Sequence, residues 1–236
     1  MPVFLLGDEL CFPDPALAEP DGLLAVGGDL SSERLICAYA QGIFPWYGTN
    51  TPILWWSPDP RPLIEPGQVH VSRSLRRACN RGDFEITFDT DFEAVIGGCA
   101  KTPRPLGDGT WLVWDMVEAY CRLHDEGLAH SVEAWRGGRL VGGLYGVALG
   151  RAFFGESMFY REPNASKVAF VELCRVLYAW GFEFIDCQQV TPHMQALGAV
   201  STPRSEFRTR LRSALEHPTL KGSWTEAAPQ AVACLS

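Results

Sequence analysis

The sequence is defined first by what it does not contain. No stretch approaches the roughly 18 consecutive apolar residues that a membrane-spanning helix needs. The start, MPVFLLGDEL, has no basic segment and meets Asp8 and Glu9 early, so it does not read as a signal peptide. No CxxC occurs; eight cysteines lie scattered at 11, 37, 79, 99, 121, 174, 187 and 234, mostly in apolar runs. Reduced, buried thiols in a cytoplasmic protein are the expectation. Cys121 and His124 have C-x-x-H spacing, but no second half of a zinc site follows, so no metal is expected. A basic excess is also missing. The net charge of −8 excludes a protein that coats nucleic acid broadly, while leaving room for a local basic patch.

Several chemistries are absent for the same kind of reason. GESMF supplies only the first glycine of G-x-S-x-G, so Ser157 is not on a nucleophile elbow. GGLYGVALG is not G-x-G-x-x-G, and no G-x-x-x-x-G-K-[ST] loop exists. No Cys or Ser has an evident His–Asp escort, so a covalent acyl-enzyme is not indicated. The 236 residues, 47% hydrophobic and 20% charged, suffice for a sizeable core in one large domain or two unequal ones.

In chain order, residues 1–62 read as a small unit and 63–236 as a larger one, the composition changing near Pro60–Gly67. In the first unit Ser31 is a natural N-cap for a helix ending before Gly42, with Leu35, Ile36, Ala38 and Tyr39 inward. GIFPWY and ILWWSPDPRP follow. Their aromatics suit either a small core, the commoner fate, or a stacking surface for a ring. Beyond the boundary, VSRSLRRACNRG puts Arg73, Arg76, Arg77 and Arg81 mostly on one side of a short helix, either as a solvated face or as phosphate ligands. FEITFDTDF reads as a strand, with helices through Ala94–Cys99 and from Trp114 to Glu126, where Gly127 stops the second. His130–Trp135 and Leu140–Ala148 alternate as strands around the RGGR turn, and Gly150 marks the next reversal. Asn164 is a candidate N-cap for a helix to Trp180 that is apolar on nearly every side and so buried against a sheet. A further helix after Pro203 carries Arg204, Arg208, Arg210 and Arg212. The alanine-rich tail from about residue 226 is expected to be loose.

The chemical centre is expected in GFEFIDCQ. In an extended chain Phe182, Phe184, Asp186 and Gln188 share one face. A carboxylate and a carboxamide at the end of an apolar strand are costly unless they bind something. Together with Glu156 and the apolar Leu144, Phe153, Met158 and Ile185, such a site could align an amine with a carbonyl without its own nucleophile.

GLLAVGGDLS, AYAQGIFPWY, WWSPDPR, TWL, AYCRLH, AHSVEAW, LVGGLYGV, FFGESMF, NASK, IDCQ and LGA occur in that order. In this the chain resembles the bacterial leucyl/phenylalanyl-tRNA–protein transferase family over roughly residues 12 to 212. The resemblance implies an α+β protein: a small N-terminal α/β domain, then a GCN5-related N-acetyltransferase-like domain with a mostly antiparallel sheet flanked by helices. It implies transfer of Leu or Phe, with Met as a further candidate donor, from aminoacyl-tRNA to proteins beginning with Arg or Lys, marking them for N-end-rule degradation, with no cofactor. Residue by residue, it implies Asp186 and Gln188 as the catalytic pair; the mechanism expected of such a pair has Asp186 accepting a hydrogen bond from the incoming α-amine and Gln188 holding the amine or the developing tetrahedral centre. Tyr39, Trp46, Trp111 and Tyr120 would line the aminoacyl-adenosine site, the tryptophans near the terminal adenosine. Phe153, Met158 and Ile185 would wall the donor side-chain pocket, and Glu156 would serve the acceptor. Arg76, Arg77, Arg204 and Arg208 are the candidates for tRNA phosphates. Leu144 and Leu173 replace other bulky apolar residues of some members, Tyr160 replaces a common serine, and QQVTPHM departs from the usual sequence after IDCQ. The rival readings are a CoA-dependent N-acetyltransferase, whose [RQ]-x-x-G-x-[GA] loop is missing from FYREPNASK, and a non-catalytic tRNA- or peptide-binding module.

Overall fold

The computed structural model describes residues 3–102 and 112–228. In chain order its elements are β1 (Phe4–Leu6), β2 (Leu23–Gly27), α1 (Ser32–Tyr39), β3 (Phe44–Pro45), β4 (Leu54–Trp56), β5 (Arg61–Ile64), α2 (Arg73–Arg81), β6 (Glu85–Phe88), α3 (Phe92–Ala100), α4 (Trp114–Asp125), β7 (Ala129–Arg136), β8 (Arg139–Leu149), β9 (Ala152–Tyr160), α5 (Ala165–Ala179), β10 (Phe184–Asp186), α6 (Pro192–Ala196), β11 (Val200–Thr202) and α7 (Arg204–Leu215). A four-stranded sheet has the order β1-β2-β4-β3, and a seven-stranded sheet runs β11-β5-β10-β9-β8-β7-β6. The larger sheet is antiparallel except where β10 lies parallel to β9, because α5 carries the chain across between them. The sheets change over between Trp56 and Arg61, so position 62/63 falls inside β5.

Local chemistry explains most helix ends. The side chains of Ser31, Ser72, Asp91 and Thr191 accept backbone N–H bonds in the first turns of α1, α2, α3 and α6. Gly82 and Gly127 take left-handed conformations after α2 and α4. Asn164 departs from the expected cap. It sits at φ 72 with no side-chain bond to the helix, so it turns the chain into α5 instead of capping it.

Each face of the large sheet carries its own core. Tyr39, Trp55, Tyr120, Phe154, Phe184 and Phe207 belong to one continuous cluster, which joins the small sheet, α1, α4 and α7 to one face. Leu144, Phe153, Leu173, Val176, Ile185 and Trp224 belong to the other, on the face covered by α5. Phe182 falls in this second cluster and Phe184 in the first. They do not share a face, since regular pairing begins only at Phe184, after a left-handed Gly181. The aromatic stretch near residue 50 also divides. Phe44, Tyr47 and Trp55 are core, whereas Trp46 is 37% exposed and meets Trp56 edge-on at 5.6 Å.

After α7 the chain returns as a strap across the larger sheet. Trp224 stacks on His130 with ring centroids 3.6 Å apart and donates its backbone N–H to Asp89 at 2.8 Å. Thr225 Oγ1 donates to the Phe88 carbonyl at 3.0 Å. The tail expected to be loose lies, from residue 229, outside the described residues. Among the described residues Cys99 and Cys174 are buried, four other cysteines are half-buried and Cys11 is exposed, so general burial of the thiols does not hold. Among the described residues, no helix is long and apolar enough to cross a membrane, and no group of three His, Cys, Asp or Glu could hold a metal ion.

Candidate active site

The site is built on an irregularity in β9. Tyr145 pairs with Ser157 and Gly146 with Gly155, which leaves Glu156 as an extra residue. A β-bulge of this kind re-aims a side chain. Phe154 contributes to the first core and Met158 packs against the second, and between them Glu156 reaches toward α1 and α4. Tyr39 Oη donates to Glu156 Oε1 at 2.7 Å, and Tyr120 Oη donates to Oε2 at 2.8 Å. The two phenol oxygens are themselves 2.6 Å apart. Gln188 Nε2 completes the shell with a bond to Oε1 at 2.5 Å. Burial pushes the Glu156 carboxyl up to about 7; the hydrogen bonds from Tyr39, Tyr120 and Gln188 oppose the shift and the nearby Asp186 charge adds to it. Burial, reinforced by the Glu156 charge, holds both phenols well above 10.

Gln188 arrives by a different route from the one its spacing predicts. β10 ends at Asp186, and Gln188 takes φ 61, a left-handed conformation uncommon for a residue with a Cβ. A turn, not strand alternation, therefore brings its carboxamide to Glu156. The backbone N–H of Gln188 donates to Asp186 Oδ1 at 2.9 Å, fixing that turn.

Asp186 has no accessible surface. Arg61 Nε donates to its Oδ1 at 2.9 Å and Arg61 Nη2 to its Oδ2 at 2.8 Å. The third guanidinium nitrogen donates to the Gly42 carbonyl at 2.8 Å, and the guanidinium lies 4.9 Å and 4.6 Å from the Phe44 and Phe207 ring centres. A planar fork matched to a carboxylate is the geometry a buried ion pair requires. It also leaves Asp186 enclosed and occupied. The expected hydrogen bond from an incoming amine to Asp186 is corrected accordingly: in this arrangement Asp186 orients Gln188.

The remaining expected residues separate by face. Phe153 and Ile185 are buried in the second core, beside Leu144 and Leu173, and Met158 packs against them with His193 Nε2 at 3.3 Å from its sulfur. These apolar walls lie together, on the side of the sheet opposite the phenols. Trp111 lies outside the described residues. Arg76 and Arg77 are exposed on α2. Arg204 and Arg208 are otherwise engaged. Arg204 Nη1 donates to the Ser57 carbonyl at 2.6 Å and Arg208 pairs with Asp14 at 2.6 Å, so both tie α7 to the N-terminal region and neither is offered to phosphate. Tyr160, in place of the common serine, is exposed.

Arg61 is the site residue that sequence reasoning missed. A signal existed: an arginine inside the apolar strand RPLI needs a buried acid, and Asp186 was the acid already in hand.

Chemically, the cluster offers a carboxyl group, a carboxamide and two phenols, and no thiol, amine or aliphatic hydroxyl. That defines an acyl-transfer class of site, one that aligns an amine with an activated carbonyl. The family profile described as leucyl/phenylalanyl-tRNA protein transferase matches residues 63–212, and the profile of that enzyme's N-terminal domain matches residues 28–59. A leucyl/phenylalanyl-tRNA–protein transferase of Solidesulfovibrio magneticus is 59% identical over 236 residues, covering 100% of this chain and 95% of its own. Its counterpart in Anaeromyxobacter dehalogenans strain 2CP-C is 59% identical over 95% of this chain and 96% of its own. The chain belongs to the leucyl/phenylalanyl-tRNA–protein transferase family. Among solved structures, a conserved protein of unknown function from Staphylococcus epidermidis has a TM-score of 0.40 at 11% identity, covering 77% of this chain and 68% of its own. L-PGS from Bacillus licheniformis has a TM-score of 0.38 at 10% identity, over 85% and 66%. At such scores neither bears on fold or function.

Proposed function

We propose that the protein moves Leu or Phe, with Met as a further donor, from aminoacyl-tRNA to the α-amino group of proteins with an N-terminal Arg or Lys. Peptide-bond formation would mark the acceptor for N-end-rule degradation in the cytoplasm. The full-length 59% identity to named leucyl/phenylalanyl-tRNA–protein transferases carries this reading. The GCN5-related N-acetyltransferase-like description of the larger unit belongs to the same proposal. It is supported by the antiparallel run β6 to β9, the crossover α5 and the parallel β10.

Phe153, Met158 and Ile185, which the resemblance makes the walls of the donor pocket, are packed in the second core and must part to admit the donor side chain, where burying a Leu or Phe contributes roughly 1.5–3 kcal/mol. Tyr39 and Tyr120 line the reacting end, and Trp46 and Trp111 stack near the terminal adenosine. Arg76 and Arg77 meet phosphates of the acceptor stem, contacts that carry no sequence preference. The acceptor's N-terminus approaches Gln188 and Glu156. Among the described residues the Gln188 carboxamide oxygen has no partner, so it is available to accept from the amine. Arg61 and Asp186 hold that carboxamide still. The ester is already activated, so alignment is the principal requirement.

Incubation with Leu-tRNA and an Arg-initiated peptide should add one leucine, read by mass. An Ala-initiated peptide should remain unmodified. Equal leucylation of the two would overturn the acceptor assignment, and no leucylation of either would overturn the activity. Acetyl-CoA, the donor in the rival reading, should give no thermal shift.

A further inference from the structure

Proton counting around Glu156 gives a result that the hydrogen-bond distances alone do not state. Three oxygen–oxygen contacts close a ring: Tyr39 with Tyr120 at 2.6 Å, Tyr39 with Glu156 at 2.7 Å and Tyr120 with Glu156 at 2.8 Å. Each such contact needs one hydrogen between its oxygens, and each phenol has one to give. If Glu156 is a carboxylate, two hydrogens serve three contacts, and one short pair is left lone pair against lone pair. A carboxylic acid at Glu156 brings the third hydrogen: it donates to one phenol, that phenol donates to the other, and the second phenol donates back to Glu156, so every contact is then a hydrogen bond. The amide N–H of Gln188 adds a bond to Glu156 but none to either phenol.

The surroundings favour the same count. Tyr39 faces the group from α1, Tyr120 from α4, and Asp186 and Gln188 from β10 and the turn after it. Tyr145 on β8 adjoins Tyr120 at 5.4 Å between ring centres. Among the described residues the guanidinium that reaches this cluster, Arg61 on β5, is committed to Asp186. No positive charge among the described residues is directed at Glu156, and burial holds its proton up to about 7.

The geometry points to the Glu156–Tyr39–Tyr120 ring as the proton acceptor of the reaction: one hydrogen short as a carboxylate, it is completed by a proton from the acceptor's α-ammonium. This rests on the transferase reading above. The balance closes without a further reagent. The carboxylate takes one proton and frees the amine. The nitrogen attacks the ester carbonyl, the C–N bond forms, and the bond from that carbon to the ribose 3′-oxygen breaks with its electron pair left on the oxygen. The second nitrogen proton passes to that oxygen, and Glu156 returns the first to water.

Glu156→Gln is the discriminating variant, because a carboxamide supplies donor hydrogens to the ring but cannot take up a proton. Two measurements test the inference. Infrared difference spectra of the wild type should show a neutral carboxylic acid band that disappears as pH rises through about 7 and is absent from Glu156→Gln. Transfer from Leu-tRNA to an Arg-initiated peptide should fall on the order of 10²-fold in the variant near neutral pH. That deficit should shrink to several-fold above about pH 9, where an α-amine with a pKa near 8 arrives already deprotonated. A deficit that stays constant with pH would assign Glu156 a purely orienting role and overturn the inference, as would the absence of the acid band. Wild-type protein that transfers no leucine would instead overturn the functional reading, leaving the infrared result standing.

Discussion

Asp186 and Glu156 are two buried acids that sit within reach of the same glutamine and live in opposite surroundings. Asp186 meets a guanidinium in a two-bond fork. Glu156 meets two phenols and an amide, all neutral. A buried carboxyl group keeps its charge cheaply only if an opposite charge compensates the lost hydration. The first acid therefore behaves as a fixed strut and the second as a group that can change its proton. Burial depth does not separate them, since both are almost wholly enclosed; the charge of the nearest partner does.

The strongest way to break this contrast is to remove the strut's partner. Arg61→Met leaves Asp186 buried and unpaired, and urea unfolding should show a loss of about 3–5 kcal/mol. The double change Arg61→Met with Asp186→Leu should recover most of that stability without recovering transfer, because Gln188 would still lack its anchor. Next comes the titrating acid. Glu156 binds its proton more tightly folded than unfolded, so its neutral form stabilises the fold fully below about 4.5, and that contribution is lost as pH rises through about 7. The loss is on the order of 3 kcal/mol. Glu156→Gln cannot ionise, so its stability relative to wild type should grow by that amount between those limits in urea titrations at each pH. Tyr39→Phe or Tyr120→Phe should cost about 1–3 kcal/mol by leaving buried oxygens short of partners. The smallest effects contrast two arginine groups. Arg76→Ala and Arg77→Ala should each lower the salt slope of tRNA binding by about one with unchanged melting. Arg208→Ala should leave that slope alone and lower stability by about 0.2–1 kcal/mol, as expected of a partly exposed ion pair.

The sequence made some of this readable and hid the rest for physical reasons. Helix starts at Ser31 and Ser72 were legible because the cap is a local side-chain-to-backbone bond. The β7–β8–β9 meander was legible because strand alternation and the glycine turns are local too. The position of Gln188 was not. Period-two reasoning assumes that the strand continues, and β10 stops two residues earlier in a left-handed turn held by Asp186. Arg204 and Arg208 counted as free cations because their partners, Ser57 and Asp14, lie far off in the sequence. Arg61 was hidden for the same reason, 125 positions from its acid. The β9 bulge shows only when two strands are laid in register. What sequence gives well is contact within a turn of chain; the site is made of long-range pairs.

The strap after α7 has a bearing on how the protein comes to be folded at all. Trp224 is one of the largest wholly buried side chains, and its backbone closes on Asp89, at the end of β6. Ribosomal synthesis delivers that residue after every strand of the larger sheet. The second core therefore stays open to solvent until residue 224 has been made, and a nascent chain stalled before it should be cut readily by protease in the region around His130.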